Sequence, residues 1–171
     1  MNFVFFNAAW QTLFSRSDAE SAHWIQHELT LTADFPFNAE KKVEIGQRIA
    51  YRDGNVLNVF EVRQCTETEP DHGQRITAES IAISELSDEH IDKTEITNKT
   101  AAEALTTVLT GTLWSVGTNT ASGTSDADIA RGDVWKAVNA IKTNWNVYVT
   151  PRVTFSAAGA ITGRYLDITP A

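Results

Sequence analysis

The segment DVWKAVNAIKTNWNVYVTPRVTF, residues 133–155, carries the clearest periodic pattern in the chain. In its first half, apolar residues repeat with a period of about 3.6, which predicts an amphipathic helix. The apolar face of that helix consists of Val134, Val138, Ile141 and Trp145. Asp133 can cap the first turn, and Lys142 stands near the end, where the helix dipole favours a cation.

The second half of the segment changes to a period of two, which predicts a strand with one buried face. The inward-facing residues are Val147, Val149, Pro151, Val153 and Phe155. Residues 160–168 predict a return strand after a three-residue loop that ends at Gly159 in the left-handed region. This register would place Phe155 opposite Ile161. The unit therefore predicts a helix packed on a β-hairpin.

Pro151 has no backbone N–H, so the first strand of the hairpin should lie at a sheet edge or be bulged there. The predicted register places Pro151 opposite Tyr165. The alternation of the second strand changes phase between Tyr165 and Leu166, which predicts a bulge at that point.

Upstream of this unit, Thr100-Ala-Ala-Glu103 fits a capping box and predicts a helix that ends before Gly111. Residues 112–116 predict a short strand, and the Ser-, Thr- and Gly-rich residues 118–128 predict a mobile loop. Residues 96–171 therefore read as a small α-β-α-β-β domain.

Residues 1–95 predict a β-rich domain. Alternation over 24–35 predicts one half-buried strand, and Asp53-Gly54-Asn55 predicts a hairpin between strands 47–52 and 56–65. A turn at 70–73 and a strand over 75–83 follow. Successive hairpins favour a meander that curls into a small barrel. The predicted fold class is therefore α+β, with a β-barrel-like domain before the α/β domain.

Composition limits the classes of function. The chain has 171 residues, 42% of them hydrophobic, and a net charge of −8, which argues against nucleic-acid binding by phosphate neutralisation. Residues 61–95 alone hold ten acidic and three basic residues. From composition alone, this acidic stretch is interpreted as an ordinary solvated surface. The sequence contains no signal peptide and no apolar window of membrane-spanning length, so membrane insertion is not expected.

The sequence predicts no catalytic, cofactor-binding or metal-binding residues. The pair His23 and His27 lacks the glutamate position of a zincin motif, and Asp126 and Asp128 lack the rest of a calcium loop. The single cysteine, Cys65, has no recognisable triad. The chain is therefore not expected to be an enzyme.

The sequence contains five tryptophans, which could pack in the core or form a platform for sugar rings. For Trp114, Trp135 and Trp145, which belong to the patterned elements, core packing is the favoured reading. The positions of Trp10 and Trp24 stay open.

Four ordered segments resemble the N-terminal region of phage minor structural proteins of the prophage tail-endopeptidase family, also described as tail-associated proteins. They are ITAESIAISELSDEHI (76–91), TAAEALTTVLTGTLWSVG (100–117), the segment 133–155 quoted above, and GAITGRYLDI (159–168). The resemblance implies a baseplate-hub fold, in which a barrel-like domain precedes a small α/β domain. No peptidase motif accompanies it, so the endopeptidase activity is not carried over.

The resemblance also implies that this chain is the N-terminal part of a longer protein that carries a second barrel. Three such chains would form a ring that closes the tail tube, with other tail proteins as partners. As an alternative to a solvated surface, the acidic stretch 61–95 could then form a negative wall of the lumen that repels DNA. The expected location is the virion, with assembly in the bacterial host cytoplasm. The alternatives are a peptidoglycan hydrolase segment and a carbohydrate-binding module for host recognition.

Overall fold

The computed structural model describes residues 2–25, 28–53, 56–69, 71–157 and 159–171. The chain divides into two compact units, Met1–Ile81 and Ala82–Ala171. The sequence placed the boundary later, between residues 95 and 96. Residues 82–95 belong to the second unit because they supply packing and ion-pair partners there, such as Glu85 for Arg164.

The first unit contains one antiparallel sheet of seven strands. The strands are β1 (Phe3–Phe6), β2 (Thr12–Arg16), β3 (Ser21–Ile25), β4 (Thr30–Phe35), β5 (Arg48–Asp53), β6 (Val56–Thr68) and β7 (Gly73–Ser80). Their order in the sheet is β2-β1-β5-β6-β7-β4-β3. The predicted hairpin at Asp53 is confirmed, because β5 pairs with β6 and Asp53 lies opposite Val56. Gly54, Asn55 and Pro70, which belong to the predicted turns, lie outside the described residues.

The prediction of a single strand over 24–35 is wrong. The segment forms the hairpin β3–β4, in which Trp24 lies opposite Leu31. Leu29 adopts a left-handed φ of 56°, and the Glu28 N–H donates to the Ile25 carbonyl at 3.2 Å. The apolar-polar alternation continues through the turn in the sequence, so the pattern alone could not reveal the reversal.

The sheet is strongly curled around one apolar core. The ring centroids of Phe3 on β1 and Phe35 on β4 lie 5.4 Å apart, although three strands separate β1 from β4 in the sheet. Neighbouring strands are about 4.8 Å apart, so a flat sheet would separate these rings by about 19 Å. The edge strands β2 and β3 do not pair with each other. The predicted barrel is therefore an open, curled sheet.

A buried arginine joins one edge of this sheet to the strand next to the other edge. The Arg16 guanidinium at the end of β2 donates to both carboxylate oxygens of Asp18 at 2.9 Å and to the Pro36 carbonyl at 2.7 Å. It also lies 4.7 Å from the ring centroid of Phe35 and bonds to the Lys41 carbonyl at 3.3 Å. These contacts connect β2 to the end of β4, and we call them the Arg16 clasp.

The connection between β4 and β5 is held by the buried side-chain amide of Gln74 on β7. Gln74 accepts the Val43 N–H at 2.9 Å and donates to the Val43 carbonyl at 3.0 Å. The half-buried Cys65 thiol lies 3.4 Å from the same carbonyl, and burial raises the pKa of Cys65. Val43 is buried in the core of this unit, so the connection contributes one apolar side chain to it.

The second unit mixes helices with short sheets, so the α+β class is confirmed. Its elements are α1 (Ile81–Ser87), β8 (His90–Ile91), β9 (Thr94–Thr100), α2 (Ala101–Val108), β10 (Ser115–Asn119), β11 (Thr124–Ile129), β12 (Gly132–Asp133), α3 (Val134–Trp145), β13 (Val147–Phe155) and β14 (Ile161–Pro170). The sheets have the orders β10-β14-β13, β11-β9 and β12-β8. No described helix is long and apolar enough to cross a membrane.

The α-β-α-β-β order is incomplete, and the mobile loop predicted over 118–128 is wrong. The end of that segment forms β11, which pairs with β9, a strand that spans the predicted division between residues 95 and 96. The Asp126 carboxylate accepts the Asn98 N–H at 2.6 Å and fixes this ribbon. Only Ile96, Ala127 and Ile129 are buried there, too few for a clear strand pattern.

Both predicted helix caps are confirmed. Thr100 and Glu103 form the reciprocal capping box of α2, and the bond from the Thr100 N–H holds the pKa of Glu103 below its usual value. Asp133 caps α3 by accepting the Lys136 N–H at 2.8 Å. The buried face of α3 consists of Val134, Ala137, Val138 and Ile141, and Trp145 is only half-buried.

The hairpin β13–β14 confirms part of the predicted register. Phe155 lies opposite Ile161, and Gly159 has a left-handed φ of 81°. A bulge at Thr162 then shifts the pairing, so Pro151 lies opposite Leu166 and not opposite Tyr165. The bulge predicted between Tyr165 and Leu166 is therefore misplaced.

This shift has a packing reason. It brings Leu166 and Ile168, both fully buried, into phase with the apolar face of β13. The Thr162 hydroxyl lies 3.0 Å from that of Thr154. The expectation that Pro151 occupies an edge strand is confirmed, because β13 is the outer strand of its sheet.

Gly117 on β10 lies against the ion pair between Arg152 on β13 and Asp167 on β14. Arg152 donates to Asp167 at 2.6 and 3.0 Å, and its guanidinium lies 4.7 Å from the ring centroid of Tyr165. Burial raises the pKa of Asp167, but the bonds from Arg152 and the Thr118 N–H outweigh it and hold that pKa below its usual value. A Cβ at position 117 would collide with the Asp167 carboxylate.

We therefore expect Gly117→Ala to lower the free energy of unfolding by about 1–3 kcal/mol, because the ion pair or β10 must move. Gly132→Ala is the matched control, since a Cβ there meets nothing within 4 Å and the φ of Gly132 is not left-handed. Denaturant unfolding of both variants measures the difference. Equal unfolding midpoints for the two variants would show that the ion pair moves aside without cost.

Candidate assembly surface

Within the described ranges, the structure does not bring together the histidines and aspartates that the sequence analysis considered as metal ligands. No group of three or more His, Cys, Asp or Glu residues in the described ranges is arranged to hold a metal ion. His23 is exposed on β3, and His27 lies outside the described residues. Asp126 is bonded to the backbone of Asn98, and Asp128 pairs with Lys93 at 3.3 Å. These two carboxylates therefore stabilise the β9–β11 ribbon.

All five tryptophans contact other residues of the chain. The indole N–H of Trp114, which is 3% exposed, donates to Glu85 at 2.9 Å, and that of Trp145 donates to the Lys99 carbonyl at 2.7 Å. The others lie against a cation or a ring: Trp10 under Arg48, Trp24 edge-on to Phe60, and Trp135 beside Lys142. Core packing holds for Trp114, whereas Trp135 and Trp145 are half-buried.

The acidic stretch 61–95 is divided between the two compact units, and several of its carboxylates are paired within their own unit. Glu61 and Glu79 lie opposite each other on β6 and β7, and Arg63 bonds to both, at 2.7 and 3.2 Å. Glu85 is paired with Arg164 at 2.8 Å. The pairing weakens the idea that this stretch forms a single negative wall.

The outer strands of the two larger sheets are the surfaces best suited to assembly, because an edge strand presents unpaired N–H and C=O groups to any extended chain. Native proteins block unwanted pairing with prolines, lysines, bulges or inward charges. Three of the four edges carry such features.

On β2, Leu13 is the extra residue of a bulge, Lys41 donates to the Ser15 carbonyl at 3.0 Å, and Arg16 points inward. On β13, Pro151 removes a donor. On β10, the pairing is irregular after Val116, and the Asp167 carboxylate accepts the Thr118 N–H at 2.7 Å. These three edges are unsuited to strand addition.

The remaining edge, β3, carries none of these features. Its five residues, Ser21–Ile25, include no proline and no lysine, and their pairing with β4 is regular throughout. Ala22 and Trp24 face the core and are only partly buried. In the described part of the chain no strand pairs with the outer side of β3.

The outer face beside β3 is strongly charged. Asp34 on β4 accepts two bonds from Arg75, at 2.7 and 3.1 Å, and one from the Ser21 hydroxyl at 2.7 Å. The bonds from Arg75 are the main cause that holds the pKa of Asp34 below its usual value. Sequence reasoning missed this surface, because strand order in a sheet cannot be read from the pattern of a single strand.

Large exposed apolar side chains are few and scattered. In the first unit, Leu13, Phe37 and Ile45 are 45, 64 and 67% exposed, and in the second unit Leu113 and Tyr148 are 70 and 54% exposed. Single exposed residues of this kind are common on monomers, so by themselves they do not define an interface.

Comparison with known proteins gives no match to a family model and no match to a curated protein. Solved structures do match. The prophage tail protein gp18 from Listeria monocytogenes is similar with a TM-score of 0.65 and 14% identity, covering 99% of this chain and 51% of that one. The 43 kDa tail protein of prophage MuSo2 from Shewanella oneidensis gives 0.53 and 14%, covering 99% and 52%.

The chain thus spans about half the length of these tail proteins. At this level of identity the likeness concerns the fold. Over nearly its whole length, the chain has a fold found in solved prophage tail proteins.

Proposed function

We propose that this chain is part of a structural protein of a phage or prophage tail, the hub at the tail tip. The observation that carries the proposal is the similarity of fold to prophage tail protein gp18 over 99% of the chain. The resemblance of the four sequence segments between residues 76 and 168 to tail-associated proteins also supports it.

In this proposal the protein acts by assembly and catalyses no reaction. The full-length protein forms a trimer that closes the tail tube and carries modules for host interaction further along its chain. Other tail proteins are its partners, and it is built into the virion in the host cytoplasm. The use of the chemistry-bearing side chains as caps, ion pairs and ribbon contacts favours this role over a hydrolase segment.

Tail particles released by the phage or prophage that encodes this chain provide the direct test. We expect antibodies raised against the chain to label one end of the tail, the tip, when gold-labelled particles are viewed by electron microscopy. Antibodies pre-absorbed with the chain serve as the control. Labelling along the whole tail tube would contradict a hub at the tip. A complete lack of labelling on free tails, where the tip is accessible, would contradict it as well.

A second test concerns oligomeric state. A ring closes only when each subunit offers both complementary faces, and stable interfaces usually bury more than about 1,000 Å². The proposed ring uses a second barrel outside these 171 residues. We therefore expect the full-length protein to be a trimer and the 171-residue chain to be a monomer or weak oligomer at micromolar concentration.

Light scattering coupled to size-exclusion chromatography measures both species. A tight trimer of the 171-residue chain would show that these residues carry their own self-association surface, and the proposed role of the second barrel would then be wrong.

A further inference from the structure

We propose that the outer side of β3 is a docking edge for an extended strand of another protein, and that this strand ends in Lys or Arg. The proposal rests on two features that meet at Ser21. The first is the β3 edge. Among the described strands of the two larger sheets, it is the only edge strand that lacks a blocking feature. The other is an acidic cleft that begins beside that edge.

The edge is suited to strand addition by its backbone and by its inner face. Every second residue of an outer strand directs its N–H and C=O away from the sheet, where an added strand can bond to them. Ala22 and Trp24 pack against the core but stay partly exposed, since no neighbour covers them on the outer side. An added strand with an apolar residue on that face would cover both.

The cleft has a volume of about 530 Å³ and starts at Glu20, directly before β3. Its charged and aromatic lining residues are Glu20, Asp34, Phe37, Glu69, Asp71 and Arg75. Arg75 is committed to Asp34. In the described part of the chain, Glu20, Glu69 and Asp71 have no cationic partner, so the cleft carries an uncompensated negative charge.

The chemistry of the cleft fits a cationic side chain. Carboxylates attract an ammonium or guanidinium group, and the exposed face of Phe37 can take the cation or its aliphatic stem. A side chain of this kind at the end of the added strand would enter the cleft. Among the described lining residues Arg75 is the only cation, and its guanidinium is bonded to Asp34.

The direction of the added strand follows from the sheet. All pairings of the seven strands are antiparallel, so an added strand that continues the pattern runs opposite to β3. Its carboxyl-terminal end then lies at Ser21, beside the cleft. The basic residues should therefore stand at that end of the partner strand.

Charge argues against a second copy of this chain as the occupant. Antiparallel pairing of two β3 edges centred on His23 would place the two His23 imidazoles opposite each other. The second copy would bring no cation to the cleft, because residues 17–40 contain no Lys or Arg.

The test uses synthetic peptides and the 171-residue chain. The probe is acetyl-Thr-Val-Thr-Val-Thr-Lys-Arg-amide, and its control ends in Glu-Glu in place of Lys-Arg. We expect the basic peptide to shift the backbone NMR signals of Ser21–Ile25 and of the cleft residues, and to bind at least about ten-fold more tightly than the control. Equal binding of both peptides, shifts centred on another strand, or no binding at millimolar concentration would overturn the proposal.

A pair of variants separates the cleft from general charge effects. The double variant Glu69→Lys, Asp71→Lys reverses the charge of the cleft, and we expect it to weaken binding of the basic peptide by about ten-fold or more. The matched control is the double variant Glu44→Lys, Asp88→Lys, on two exposed residues outside the cleft, and it should leave binding within about two-fold. Equal losses in both variants would show that only the net charge matters.

One further outcome would also contradict the proposal. If the free chain is a dimer in which the signals of Ser21–Ile25 move on dilution, the occupant is a second copy. The peptide measurements involve no tail particle, so their failure would leave the proposed tail role untouched.

Discussion

The first unit depends on one buried guanidinium. Arg16 is fully buried, and the hydrogen bonds from its side chain to Asp18 are the largest cause of the lowered pKa of that carboxyl. A buried cation is tolerated only when its hydrogen bonds are satisfied, and here a carboxylate and two carbonyls do so. Because these partners follow β2 and β4, the curled sheet can enclose the aromatic core without closing its ladder of backbone bonds.

An open, curled sheet also decides where the protein can meet partners. A closed barrel has no edges, whereas this sheet keeps two, and only β2 is covered by the clasp and by Lys41. In the second unit, Pro151 on β13 and the bulge after Val116 on β10 block strand addition at the two outer strands. Selective blocking of this kind restricts strand addition to the one unblocked edge among the described strands of these sheets, β3.

The sequence predicted the elements whose signals are local. The capping box at Thr100, the α3 helix after Asp133 and the turn at Gly159 are confirmed, because each depends on residues a few positions apart. The β3–β4 reversal, the β9–β11 ribbon and the Thr162 bulge were missed, since they depend on tertiary pairing. The Arg16 clasp had no local signal either, as its partners lie up to 25 residues away along the chain.

The free energy of unfolding of Arg16→Met tests most directly whether the clasp holds the first unit together. Methionine fills similar space but leaves two carbonyls and Asp18 without their donor, so the loss should be about 3 kcal/mol. Lys42→Met, which removes an exposed cation 3.5 Å from Glu67, should cost less than about 1 kcal/mol and is the control. Equal unfolding curves for the two variants would contradict the claim that the sheet depends on Arg16.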